Sequence, residues 1–380
     1  MIHIVKYFIG CVCLILVSCD GADYPDILEF HSQKDIIPVL KNFKSVNNLS
    51  ENSDQEYTPL SLLWFSDIHG NMVNLSRISS FYGEYKDYID DVLHTGDCQI
   101  AQFGDDFSFW ANNGGSCYLN IMGNHDVCSY HQYELDIMSQ KQCFDKFFKP
   151  HIGRWGVNYE DNKTYWYKDY WFAKSEECPG GIRLIGLDLF HWKEKPQFNN
   201  DKEKTIDVYP DGTPVDQGEQ EKWFVDVLQD AINNGLAVIV AIHNPTPNLS
   251  VIECSFNVID RWEDSGLRGD MIADVQSFID KGGEFITWLC GHVHQDWMGN
   301  IISYPSQTLL TIGTSNYTTP YKFDNMEGGT KSMDRFNIFN VEPQKKYIRM
   351  FRVGLEYDNH GRHIGSVVYD YKNKVLISND

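Results

Sequence analysis

Basic side chains are in short supply in this 380-residue chain: 32 Lys and Arg stand against 53 Asp and Glu, for a formal net charge of −21. Binding to DNA or RNA rests on neutralising phosphates with Lys and Arg, so no nucleic-acid partner is expected. Any phosphate chemistry here needs positive charge from another source. The ten cysteines include no CxxC or CxxxC pair, which argues against a thiolate zinc site. Internal repeats and low-complexity tracts are missing as well. A composition of 42% apolar and 22% charged residues excludes a disordered chain. What the chain has in plenty is aromatic surface, 14% of residues, enough to fill a large core.

At the N-terminus, Lys6 precedes an eleven-residue apolar run from Tyr7 to Val17. The run is too short for the roughly 20 residues of a membrane-spanning helix. With the closing Leu16-Val17-Ser18-Cys19 it reads as an export signal that resembles a bacterial lipobox, cut before Cys19 and lipidated there. The alternative is an ordinary secretory signal. Residues 1–18 are then a signal peptide and 19–58 a lipidated Cys with a polar tether. A prior of roughly 150 residues per domain allows two domains, but no glycine-rich boundary divides the remainder. Residues 59–380 are expected to form one catalytic domain that includes the C-terminal strands. The lipid on Cys19 would be the protein's only membrane contact, tethering it in the bacterial envelope without embedding it; otherwise it is secreted.

Largely apolar runs mark strands buried on both faces: Leu60–Phe65, Val92–Thr95, Tyr118–Met122, Ile182–Leu187, Leu236–Ile242 and Phe285–Leu289. Further strand-like runs follow at Leu309–Ile312, Phe336–Val341, Tyr347–Val353 and Ser366–Tyr371. Helical spacing appears between them. Leu75, Ile78 and Tyr82 define one helix, and Trp223, Phe224, Val227, Leu228, Ala231 and Ile232 define a second. The second opens on Asp216 and Glu219 and is followed by Gly235. Ile272, Val275, Phe278 and Ile279 define a third, between Asp270 and Gly282-Gly283. Strands alternating with helices, then a strand-rich C-terminus, predict an α/β core of two packed mixed sheets with helices outside.

The chemistry-bearing residues sit where those strands end, the position of ligand sites in open α/β sheets. Asp67-Ile68-His69 follows the first run, Gly96-Asp97 the second and Gly123-Asn124-His125-Asp126 the third. His243 follows Leu236–Ile242, and Gly291-His292-Val293-His294 follows Phe285–Cys290. One-residue gaps put Asp67 with His69, and His292 with His294, on one side of an extended chain. Each element alone is weak, because an isolated Gly-Asp is usually a turn and a lone His usually a hydrogen-bonded loop residue. Five strand ends in the order DxH, GD, GNHD, H, GHxH are far more specific.

This ordered set resembles the calcineurin-like metallophosphoesterase superfamily over about residues 60–315. The resemblance implies a four-layer α/β/β/α sandwich and hydrolysis of phosphoesters at a dinuclear metal centre. It assigns Asp67, His69 and His294 to one ion and Asn124, His243 and His292 to the other, with Asp97 bridging both. It also places His125 against the substrate, assisting the leaving group, and Asp126 where it can orient His125. Two carboxylates, four imidazoles and an amide suit Mn, Zn or Fe. Such ions bring the positive charge the chain lacks, and water between them would be acidified toward a hydroxide for in-line attack on phosphorus. Purple acid phosphatases carry a metal-binding Tyr three residues after the bridging Asp. Ile100 stands there, so the chain falls outside that branch.

Net negative charge favours a small phosphoester over a polyanion, which would meet long-range repulsion; monoester and diester remain open. The other class of function is a non-catalytic metal-binding surface lipoprotein that keeps the fold. His94 reads as packed behind the ligands, and His191 as a residue that could reach the pocket. The aromatic stretch Tyr159–Phe172 reads as a core-packed strand pair, or alternatively as a wall stacking an organic leaving group.

Overall fold

The computed structural model describes residues 60–68, 72–98, 118–123, 126, 128–131, 134–137, 140–172, 179–189, 217–243, 249–254, 269–292, 297–301, 309–313, 335–354 and 366–379. The signal and tether (1–58), Ile100, His191 and Asp216 lie outside the described residues. Within them the chain forms two large mixed sheets. The first runs β17-β16-β15-β14-β1-β2-β3, from β1 (Leu60–Phe65), β2 (Asp91–His94), β3 (Tyr118–Asn120), β14 (Arg335–Glu342), β15 (Tyr347–Gly354), β16 (Ser366–Asp370) and β17 (Val375–Asn379). The second runs β10-β12-β13-β11-β9-β8-β7-β6, from β6 (Val157–Tyr159), β7 (Trp166–Trp171), β8 (Gly181–Gly186), β9 (Leu236–Ala241), β10 (Leu249–Cys254), β11 (Phe285–Cys290), β12 (Trp297–Ile301) and β13 (Leu309–Gly313). A short hairpin pairs β4 (Cys128–His131) with β5 (Glu134–Ile137).

The strands that carry the motifs are parallel, β1-β2-β3 in one sheet and β8-β9-β11 in the other. Both their faces are covered, which is why every residue of β1 and β9 is buried and all but Ser61 are apolar, rather than alternating with polar ones. Pairing register fixes what each face meets. Leu62 and Trp64 of β1, Leu93 of β2 and Phe339 of β14 share the inner face, and the Trp64 and Phe339 rings meet edge-on at 5.9 Å. From the opposing sheet, the Trp166 indole N–H donates to the Asn120 carbonyl at 2.8 Å. Lys168 and the Tyr170 hydroxyl both reach the Asp91 carboxylate. The sheets therefore pack face to face.

Helices cover the outer faces. On α1 (Met72–Tyr85), Leu75, Ile78, Phe81, Tyr82 and Tyr85 are buried, and Phe81 packs on Phe336 of β14 at 5.0 Å. On α2 (Gln217–Asn234), Gln220, Phe224, Val227, Leu228 and Ala231 recur at helical spacing and are buried. Beneath α2, Arg183 of β8 forks onto Asp169, donates to the Val227 carbonyl and pairs with Asp230. The third helix, α3 (Gly269–Asp280), lies against α2 and β11. The result is the four-layer α/β/β/α sandwich.

Some elements carry no strong signal in the sequence. Hairpin β4–β5, edge strand β10, its partner β12 and edge strand β17 are such cases. So is the segment Gln140–His151, which runs through α, π and 3₁₀ turns in succession and buries Cys143, Phe144, Phe147 and Phe148. The aromatic stretch is a strand pair, β6 with β7. Tyr165 and Tyr167 spend their rings on Trp223 of α2 at 4.6 and 6.4 Å, so core packing accounts for them.

Candidate metal centre

Asp67, Asp97, His243 and His292 each leave the carboxyl end of a parallel strand at the same edge of the sandwich. Three of them do so with left-handed backbone: φ is 56° at Asp67, 60° at Asp97 and 71° at His292. A residue with a Cβ adopts that region at a cost of roughly 1–2 kcal/mol, and such strain persists where surrounding contacts over-determine it. Those contacts are visible. The Asp67 N–H donates to the Gly96 carbonyl at 2.9 Å, tying the end of β1 to the end of β2. The His292 N–H donates to the Asp67 carboxylate, 3.0 and 3.2 Å from its two oxygens. Ends of opposing sheets are thereby joined through two of the sequence-read ligands. Gly291 makes this approach possible, since a Cβ there would sit 1.8 Å from Ser66 Oγ and 2.8 Å from Asp67 Oδ2.

His243 is fully buried and its protonation can be read from its neighbours. Nδ1 lies 2.6 Å from the Thr95 carbonyl oxygen, which can only accept, so Nδ1 carries the hydrogen. Nε2 then faces Asp97 Oδ2 at 3.2 Å. Two acceptor atoms at that distance repel unless a cation lies between them. In the absence of metal a proton takes that place. Burial pulls the His243 pKa down, but the Asp97 charge and hydrogen bond, the Asp67 charge and the Thr95 carbonyl outweigh it and raise it to about 9. His292 completes the set: its ring stands 5.0 Å from that of His243, nearly perpendicular. Donor atoms of Asp97, His243 and His292 all lie within 4.8 Å of one another. One carboxylate and two imidazoles match a borderline divalent cation, so the residues present fit a metal.

Behind the ligands, His94 is buried with Nδ1 3.0 Å from Asn120 Oδ1. Burial, against the pull of Asn120, lowers its pKa to about 4, so it is a neutral packing residue. Asp126, 1% exposed, accepts through Oδ2 from the backbone N–H groups of Asp97 and Gly123, each at 2.9 Å. The sequence-read residues His69, Asn124, His125 and His294 lie outside the described residues. Two contributors escape sequence reading. The Thr95 carbonyl sets the His243 tautomer, and the Ser66 hydroxyl lies 3.2 and 3.3 Å from the Thr95 and Gly96 carbonyls. A backbone carbonyl belongs to every residue type, so no signal marks the first.

A profile of the calcineurin-like phosphoesterase family matches residues 60–296, more than half of the chain and every motif just placed. The chain belongs to the calcineurin-like phosphoesterase family. Its class of activity is accordingly the metal-dependent hydrolysis of phosphoesters. Among solved structures it is similar to a dimetal phosphatase from Danio rerio, with 11% identity, 82% of this chain and 99% of that chain covered, and a TM-score of 0.48. It is also similar to GAP50, the anchor in the inner membrane complex of Plasmodium (9% identity, 85% and 90% covered, TM-score 0.45). A putative 5'-nucleotidase from Staphylococcus aureus follows at 11% identity, 75% and 51% covered, and a TM-score of 0.38. No curated protein matches the chain in sequence.

Proposed function

We propose that this protein hydrolyses a small phosphoester at a dinuclear centre held by Asp67, His69, Asp97, Asn124, His243, His292 and His294, with Asp97 shared between the ions. The observation that carries this reading is the pair of acceptor atoms, His243 Nε2 and Asp97 Oδ2, facing each other at 3.2 Å beside His292. Bound Mn, Zn or Fe would supply the positive charge that draws in an anionic phosphoester and acidify the water that attacks phosphorus in line. The chain's own residues do the rest. Thr95 keeps the His243 hydrogen on Nδ1, so that the Nε2 lone pair stays free to bind a metal. Asp67 fixes the His292 backbone. His125, next to ligand Asn124, hands a proton to the departing oxygen. With a formal charge of −21 the protein repels polyanions at long range, which favours small substrates. Export on the N-terminal signal, with a lipid on Cys19, would place this activity in the bacterial envelope.

The test is a panel of chromogenic phosphomonoesters and diesters, run on stripped protein reloaded with Mn, Zn, Fe or Co. Metal-dependent turnover of one ester class is expected. A preparation that binds metal and turns over neither class would instead favour the non-catalytic metal-binding surface lipoprotein. Within an active protein, Asp97→Ala should abolish turnover and occupancy of both sites, whereas two tightly held ions in that variant would refute the shared carboxylate. His125→Ala should keep the metals and slow turnover by about 10²–10⁴-fold; an unchanged kcat removes it from the mechanism.

A further inference from the structure

We infer that Asp126 is a positioning residue that acts on the metal centre through the backbone of Asp97, by clamping the loop after β2 to the loop after β3. Its carboxylate is buried, and a single oxygen, Oδ2, accepts the N–H groups of Asp97 and Gly123 at 2.9 Å each. These N–H groups come from different strand ends. The Asp126 N–H closes its own turn on the Gly123 carbonyl at 3.1 Å, which holds the carboxylate at the seam. Across that seam the fit is tight. A Cβ on Gly123 would lie 2.2 Å from Asp97 Oδ1 and 2.4 Å from Asp97 N. Asp97 takes φ of 60°, and its N–H is given to Asp126. A buried anion accepting two N–H groups is a strong, charge-assisted anchor. It holds the backbone of Asp97, whose carboxylate lies with the His243 and His292 donor atoms within 4.8 Å of one another, and the backbone of Gly123. This assignment rests on the dinuclear reading above. It departs from the family resemblance, under which the same residue serves to orient His125.

The two roles separate by experiment. Metal affinity, measured for Mn and Zn by competition with a chelator, and kcat at saturating metal are compared for wild type, Asp126→Ala, Asp126→Asn and His125→Ala. Groups that orient ligands are worth about 10–100-fold in metal affinity. Asp126→Ala, which leaves two buried N–H groups without an acceptor, should weaken metal binding by about that factor. Asp126→Asn keeps an oxygen in place but gives up the charge, and should recover most of the loss, to about 3–10-fold below wild type. His125→Ala should lower kcat and leave affinity alone. If Asp126→Ala copies His125→Ala, with kcat lost and metal affinity unchanged, the inference is overturned. Should the Ala variant fail to fold, Asp126→Asn still decides: weakened metal binding supports the clamp, and wild-type affinity with kcat down a hundredfold refutes it. Wild-type protein that binds neither cation would refute the dinuclear reading itself, and this inference with it.

Discussion

Raising the pH of the metal-free protein removes the proton that holds His243 and Asp97 together, and the cost of that removal can be estimated. The ordinary imidazole pKa of 6.5 becomes about 9 in the folded protein, because burial, which lowers it, is outweighed by the charge and hydrogen bond of Asp97, the charge of Asp67 and the Thr95 carbonyl taken together. The difference corresponds to about 3 kcal/mol of stability. Its sign follows from the direction. A folded-state pKa above the unfolded one contributes stability that is complete below pH 6.5 and is lost as pH rises through about 9. Urea unfolding of chelator-stripped protein at steps from pH 6 to pH 10 measures this directly, with His243→Gln as the control whose stability should be nearly level across the window. Metal competes for the same position, so affinity should climb about tenfold per pH unit up to about 9. Loading at pH 7 should release about one proton, read by calorimetry in buffers of different ionisation heat. A wild-type stability that stays flat from pH 6.5 to 9, or a His243→Gln variant with the same slope as wild type, would refute the reasoning.

Gly123→Ala alters no proposed ligand, yet its new Cβ would fall 2.2 Å from Asp97 Oδ1; metal affinity should drop at least about tenfold, and unaltered binding would show that the two loops are not interlocked. Trp166→Ala removes a fully buried ring and its bond to the Asn120 carbonyl. It should cost about 3–5 kcal/mol in urea unfolding, and a loss below 1 kcal/mol would mean that this contact does little to hold the sheets together.

The parallel strands were legible because they are buried on both faces. A run such as Leu236–Ala241, with every residue buried, has few other ways to satisfy its chemistry. The motifs were legible for a related reason, since a strand end is where a polar side chain can leave the core while its backbone stays fixed. Pairing between distant segments was not. β14 lies against β1 with Leu60 opposite Val341, and nothing local in either stretch names the other as partner. Strands at the sheet margins, such as β10 and β17, have weak patterns because one side of each pairs with no other strand among the described residues. The contacts of Asp126 were hidden differently. Its place beside His125 in the sequence suggests that neighbour and gives no sign that its oxygen reaches the backbone of a residue 29 positions earlier.

The left-handed turns at Asp67, Asp97 and His292 set folding and chemistry against each other. Glycine at any of them would relax the main chain and discard a proposed ligand, but at Asp67 and Asp97 it would also remove the carboxylate that accepts the His292 N–H or pairs with His243, so His292 is the turn where decay of activity is rewarded by a sturdier fold. His292→Gly should raise the unfolding midpoint of the stripped protein; a lower midpoint would disprove the trade. Lineages of this fold freed from the need to turn over substrate would be expected to drift first at the His292 turn, toward inert but longer-lived descendants.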